Sequence, residues 1–287
     1  MIIFFENGRL GNQIFQYCAL KKFHKKGSIF LVGMRSLKTM FTGVEVVGGT
    51  NWVWKLIERF IFHLAQGPLH ILAKKLRVIG FVEEELTAKG SKLIVQNGFF
   101  KNLYYCSQIY FQSENMIENS VAEKIELKPE LLNLASIYLM KLPCERTATF
   151  FVHVRRGDYL NWPSRSAPAV LPLIWYQEQM NLVRSKYAKP FFVIVSDDGL
   201  YADEMFGHCE DVLVSYENEE LDFALMSRCD GGILSASSFA WWAAYFARRN
   251  NKDAFFIAPL YWVGHCSKIW HPQNIETSWL TYAEVKS

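Results

Sequence analysis

The chain is expected to be an α/β protein of two domains. From about residue 149 onward, short apolar runs alternate with helix-like segments, which is the pattern of a parallel sheet covered on both faces. The N-terminus opens with a strand, a glycine-containing loop and a helix, the same unit in miniature. At 287 residues the chain also exceeds the common single-domain size. The boundary is placed between residues 145 and 146, giving domains 1–145 and 146–287.

Residues 2–5 are apolar and rich in Ile and Phe, as a buried strand requires. A loop over 6–10 follows. Over 11–26, Ile14, Phe15, Cys18, Ala19 and Phe23 recur at helical spacing, and Lys21, Lys22, Lys25 and Lys26 complement the helix C-terminus. Such a strand–loop–helix presents backbone N–H groups to an anion or polar ligand, although a turn that only packs the helix on the sheet has the same pattern. Residues 51–77 read as two helices broken at Gly67-Pro68, with Val53, Leu56, Ile57, Phe60, Ile61 and Leu64 as one stripe. Lys55, Arg59, Lys74, Lys75 and Arg77 oppose the single acid Glu58 there, and Trp52 and Trp54 flank the stripe. This makes the segment a candidate membrane-surface element, set against an ordinary helix whose stripe packs on its domain. The later strands are expected at 150–154, 191–195, 212–214, 232–234 and 255–257. Trp241 and Trp242, followed by Ala243 and Ala244, read as core.

Hydrophobic residues make up 51% of the chain, aromatics 15% and charged residues 21%, so a dry core is available and disorder is excluded. The net charge of +3 is small and scattered, which argues against nucleic acid as a partner. Cys18, Cys106, Cys144, Cys209, Cys229 and Cys266 show no C-x-x-C spacing, so reduced thiols are expected and no zinc site. With no signal-peptide pattern after Met1 and no run near 18 apolar residues, the expected location is the cytoplasm, with peripheral contact on the cytosolic face of a membrane the alternative.

In open parallel sheets, ligands bind beyond the C-terminal ends of the strands. This rule selects His153 to Tyr159, Ser196-Asp197-Asp198 and Ser235 to Phe239. His153 and Arg155, two apart, share a side of a strand; Arg155 offers a planar fork suited to a diphosphate, Gly157 permits a sharp turn, and Asp158 stays near the strand end. The competing reading is a solvated turn with Arg156 paired to Asp158. Ser237, Ser238 and Phe239 at a helix start form a second anion site or simply a cap, and the two roles can coexist. Asp197 and Asp198 suit a metal, a ribose or a base, or a helix cap. No D-x-D occurs anywhere in the chain, which argues against a metal-held donor.

These strings resemble the α-1,2-fucosyltransferases of glycosyltransferase family 11. Residues 8–17, G-R-L-G-N-Q-I-F-Q-Y, look like the family's G-G-L-G-N-Q-M-F-Q-Y; 153–159 match H-x-R-R-G-D-Y; 192–198 resemble F-x-x-F-S-D-D; and 222–242 are similar to D-x-x-L-M-S-x-C-x-x-x-I-x-x-S-S-F-S-W-W. The four motifs stand in family order. What the resemblance implies is a GT-B-like pair of Rossmann-like domains facing a cleft, the first on the acceptor side and the second holding the GDP-sugar. It further implies inverting transfer of fucose from GDP-β-L-fucose to the 2-hydroxyl of a galactose-ended oligosaccharide or lipid-linked glycan, without a metal or other cofactor. Arg155 is then the group that meets the departing diphosphate, aided by Ser237, Ser238 and Phe239. His153, Gly11 and Asn12 complete the donor site, Asp197, Asp198 and Asp230 are candidates for guanine, and Asp158 for the general base. Arg9 departs from the family's second glycine, Ala236 and Ala240 stand where Asn and Ser are usual, and Lys101-Asn102 replaces Gln-Ser. Use of another GDP-sugar, or a non-catalytic binding module on the same fold, are the rival functions.

Overall fold

A computed structural model of the protein describes residues 1–24, 28–45, 51–66, 75–78, 80–87, 90–100, 104–106, 110–117 and 119–286. The chain divides into two compact units, Met1–Lys128 and Pro129–Ser287.

In the first unit, β1 (Ile2–Phe5) leads into α1 (Leu10–Phe23), and β2 (Ile29–Val32) into the short α2 (Arg35–Met40). Next come α3 (Trp52–Gln66), β3 (Gly80–Thr87), β4 (Gly90–Gln96) and β5 (Tyr104–Cys106). The sheet order is β2-β1-β5-β3-β4, with β3 and β4 an antiparallel hairpin on an otherwise parallel sheet. Ile2 and Phe4 are fully buried, as a strand covered on both faces requires. The break at Gly67-Pro68 lies outside the described residues.

In the second unit, α4 (Pro129–Met140) precedes the strand-helix alternation: β6 (Ala148–Val154), α5 (Leu173–Lys186), β7 (Pro190–Ser196), α6 (Gly199–Phe206), β8 (Val212–Val214), α7 (Glu219–Met226), β9 (Gly231–Ile233), α8 (Ser238–Asn250), β10 (Phe255–Pro259) and β11 (Thr281–Ala283). All neighbours pair in parallel in the order β8-β7-β6-β9-β10-β11. This is a doubly wound sheet: the chain leaves the central β6 to one side, then returns to build the other, so strand order reverses between β6 and β9. Phe150, Val152 and Val154 alternate along β6 and pack with Trp175, Tyr176 and Met180 of α5. Truncating a buried ring such as Phe150 in this layer would cost roughly 3–5 kcal/mol. Trp241 and Trp242 are fully buried, as expected.

The boundary falls ahead of the expected 145/146. Helix α4 packs against α7, and the Arg146 guanidinium bonds the Leu139, Leu142 and Pro143 carbonyls while its Nε donates to Thr149 Oγ1. One side chain thus meets a last-turn carbonyl of α4 and two more just beyond it, and ties the helix to the start of β6.

Candidate active site

The register of two central strands builds one side of the site. Because β6 and β7 pair in parallel with Val154 opposite Ser196, the residues that follow, Arg155-Arg156 and Asp197-Asp198, emerge side by side. Arg155 bonds Asp158 through Nη2 and Asp197 Oδ2 through Nη1 at 2.9 Å, and its side chain is only 12% exposed. Its neighbour turns to the second aspartate: Arg156 Nε reaches Asp198 Oδ2 at 3.1 Å, with the guanidinium carbon 3.4 Å from the centroid of the Tyr201 ring. The Arg156 backbone N–H donates to Asp197 Oδ1 at 2.8 Å. Asp198 also caps α6 by accepting from the Tyr201 N–H. Gly157 is required by close approach, since a Cβ there would lie 2.5 Å from Asp197 Oδ2.

The loop after β9 builds the other side. Ser235, 1% exposed, places its hydroxyl 2.6 Å from His153 Nδ1 and donates its backbone N–H to the His153 carbonyl. Tyr159 donates its hydroxyl to the Ala236 carbonyl at 2.7 Å, so the turn that carries Arg155 is pinned to the loop that starts α8. Ser237 caps α8 by accepting from the Phe239 N–H. One cap satisfies one first-turn donor, and the positive end of the helix dipole lies at this end. Both sides meet at the switch point between β6 and β9, where open α/β sheets bind their ligands.

Several expected roles change. His153 is 5% exposed, and burial, reinforced by the Arg155 charge, pulls its pKa down to about 3. It is therefore neutral at ordinary pH and contributes hydrogen bonding and packing rather than charge. Asp158, the expected general base, pairs with Arg155 through Oδ1, and its side chain is 58% exposed. Asp197 and Asp198, the expected guanine candidates, are engaged by the two arginines. Asp230 lies at the other end of the sheet: its carboxylate accepts from the Thr149 N–H at 2.8 Å, at the start of β6. The strand length puts it roughly 20 Å from Arg155. The alternative Arg156–Asp158 pair is replaced by Arg155–Asp158. Sequence reasoning passed over Ser235 and Tyr159, although both lie within the strand-end segments it selected.

In the first unit, the loop between β1 and α1 is held by buried amides. Gln13 donates to Glu6 Oε1 at 2.7 Å, Gln16 donates to the Asn7 carbonyl at 2.9 Å, and Glu6 Oε2 accepts from the Met34 N–H. Asn12 accepts from Gln112 Nε2 at 2.5 Å, while its own Nδ2 lies where a Gly8 Cβ would be, 2.3 Å away. With φ +83° as well, Gly8 admits no side chain. Gly11 is buried in the first turn of α1 and Arg9 is exposed. Lys101 and Asn102 lie outside the described residues. Beyond the C-terminal ends of β1 and β2 opens a cavity of about 710 Å³, bordered by Glu6, Gly8, Gly33, Arg35, Trp52 and Arg59 among others. Among the described residues, no three His, Cys, Asp or Glu side chains are grouped to hold a metal ion.

Residues 76–265 match the model of glycosyl transferase family 11. The chain is 29% identical over 182 residues to the O-antigen biosynthesis glycosyltransferase WbnK of Escherichia coli, covering 60% of this chain and 57% of that protein. It is 27% identical over 275 residues to galactoside alpha-(1,2)-fucosyltransferase 1 of Alouatta caraya, covering 88% of this chain and 66% of that one. The chain thus spans less than two thirds of the length of both relatives. Among solved structures, fucosyltransferase NodZ from Bradyrhizobium superposes with a TM-score of 0.51 at 13% identity, over 84% of this chain and 92% of that one. POFUT1 in complex with GDP-fucose superposes with a TM-score of 0.52 at 11% identity, over 86% and 94%. At these identities the likeness is one of fold, and it bears out the GT-B-like α/β class.

Proposed function

The chain belongs to glycosyltransferase family 11, and from that membership we propose that it transfers L-fucose from GDP-β-L-fucose to the 2-hydroxyl of a galactose-type acceptor. The setting is glycan or cell-surface polysaccharide synthesis in the cytoplasm or at the cytoplasmic face of a membrane. The observation that carries the reading is Arg155, held by Asp158 and Asp197 at the end of the central strand, beside the N-terminus of α8. The name of one relative, a galactoside alpha-(1,2)-fucosyltransferase, supports fucose transfer to a galactoside, and that of the other, an O-antigen biosynthesis glycosyltransferase, supports polysaccharide synthesis.

Transfer breaks the bond between fucose C1 and the β-phosphate oxygen while the acceptor hydroxyl oxygen bonds C1 from the opposite face and releases its proton to solvent, so β becomes α and GDP departs with the bonding pair. Negative charge collects on GDP and positive charge on the sugar ring, and rate is gained by groups that meet that charge only as it develops. Arg155 has five N–H donors, of which the two carboxylates take two, and their grip fixes the plane in which the others point. The first-turn N–H groups of α8, from Ser238 on, supply a second, uncharged source of stabilisation. Neutral His153, locked on Ser235, keeps the turn in place without adding charge that would hold GDP after transfer. We assign the acceptor sugar to the first-unit cavity, where Glu6 and Arg35 offer polar groups.

Release of GDP from GDP-fucose, measured with galactose-ended oligosaccharides and against other GDP-sugars, tests this. Turnover with GDP-fucose that depends on the acceptor is expected. Tight GDP binding without turnover across a broad acceptor set would make the chain a binding module, and faster turnover with a different GDP-sugar would reassign the donor.

A further inference from the structure

Over residues 52–60, helix α3 reverses the usual arrangement of an amphipathic surface helix, in which the apolar stripe faces inward. The inward side chains of this stretch are Trp54, whose ring packs 6.1 Å from that of Phe30, and Glu58, which is 8% exposed and accepts from Lys38 Nζ at 2.8 Å. Its outward side chains are Trp52, Val53, Leu56, Ile57 and Phe60, with Trp52 70% and Phe60 65% exposed. At about 100° per residue, these five occupy one arc of about 140°. Lys55 and Arg59, both exposed, lie just beyond its Trp52 edge, about 60° and 20° away. The only acid over residues 52–60 is Glu58, turned inward and neutralised by Lys38, so the outer surface there carries positive charge alone.

We propose that α3 docks the first unit on an anionic lipid surface. The apolar arc enters the boundary between headgroups and acyl chains, with Trp52 at the level of the headgroups, and Lys55 and Arg59 meet lipid phosphates. An uncharged partner would match the arc but leave both cations unanswered, whereas an anionic bilayer matches both parts. Among the described residues, no helix is long and apolar enough to cross a membrane. Arg35, Lys55 and Arg59 also border the first-unit cavity, which therefore opens beside the docked surface. The inference does not depend on which sugar is transferred.

Co-sedimentation of the full chain with vesicles of phosphatidylcholine, alone or mixed with phosphatidylglycerol, tests it at low and high salt. The protein is expected to pellet with the mixed vesicles at low salt, to be released by salt and to ignore phosphatidylcholine alone. Val53→Ser with Phe60→Ser should weaken partitioning roughly tenfold or more. Lys55→Gln with Arg59→Gln should weaken it roughly fivefold per cation and remove the salt dependence. Circular dichroism on both double variants establishes that they fold. The proposal is overturned if the wild-type chain stays in the supernatant with mixed vesicles at low salt, or if either folded double variant pellets as the wild type does. It is also overturned if velocity sedimentation finds a dimer dispersed by Val53→Ser with Phe60→Ser while vesicles capture nothing, which would assign the face to a second copy.

Discussion

Replacing Arg155 by lysine keeps the positive charge and removes the plane, so it separates charge from geometry at the proposed phosphate site. The arginine spends one N–H on Asp158 and one on Asp197 and keeps three for a ligand. A lysine that satisfied the same two carboxylates would retain one donor, on one atom, with no fixed direction. Its side-chain position is 12% exposed, so water cannot fully replace the lost bonds. The expected loss is about 2–4 kcal/mol of transition-state stabilisation, by analogy with removing one preorganised oxyanion donor, or roughly 30- to 900-fold in kcat. KM for GDP-fucose should change less, because bonds that strengthen as the sugar departs act on kcat. Initial-rate release of GDP reads both constants, and a thermal melt establishes that the variant folds. Arg156→Lys is the control: it forfeits stacking on Tyr201 and should lower stability by about 0.5–2 kcal/mol while leaving turnover near wild type. Normal turnover by Arg155→Lys together with a dead Arg156→Lys would refute the reasoning and shift the phosphate contact by one residue.

Gly157→Ala would press a methyl group against Asp197 Oδ2, which Arg155 holds in place while Arg156 N–H holds the other oxygen. A loss of about 1–3 kcal/mol in urea unfolding is expected, with a raised KM for the donor; an unchanged midpoint would show that Asp197 yields freely. Asp222 is buried, and desolvation raises its pKa from 3.8 to about 7 despite the bond it accepts from the Ser215 hydroxyl. The native state therefore binds more protons than the unfolded chain between those values, and this group lowers stability as pH rises through that window. Asp222→Asn should stabilise the protein at pH 8 and leave it little changed near pH 4; equal melting shifts at both pH values would contradict the sign. Transfer is expected to persist in excess EDTA, since the chain has no D-x-D; loss restored only by Mg²⁺ or Mn²⁺ would count against it.

How far the sequence could be read depended on whether the information was local. Strands 150–154, 191–195 and 212–214 were legible because buried parallel strands are continuous apolar runs, and the segments after the first two hold the cluster around Arg155. The closing strand Thr281–Ala283 was not, because three residues with a polar member at the sheet edge carry no such run. Nor was the hairpin Gly80–Gln96, whose charged residues hide the alternation. Pairing of Arg155-Arg156 with Asp197-Asp198 depends on the register of Val154 against Ser196, a tertiary fact with no local trace. Asp230 was misplaced for a simpler reason: it precedes its strand, and residues before a parallel strand emerge at the end of the sheet away from the ligand. For α3, periodicity gives a stripe but not its direction; over residues 52–60 its members face outward while Glu58 turns inward to Lys38.

The central claim, that this chain moves fucose from GDP-fucose to the 2-hydroxyl of galactose, is tested most directly by the linkage in the product. GDP-fucose would be incubated with a panel of galactose-ended oligosaccharides, and any product examined by NMR for through-bond and through-space coupling across the new bond. The account predicts an α-configured fucose whose anomeric proton correlates with C2 and H2 of galactose. A β-configured product, or fucose on a different hydroxyl, would contradict it.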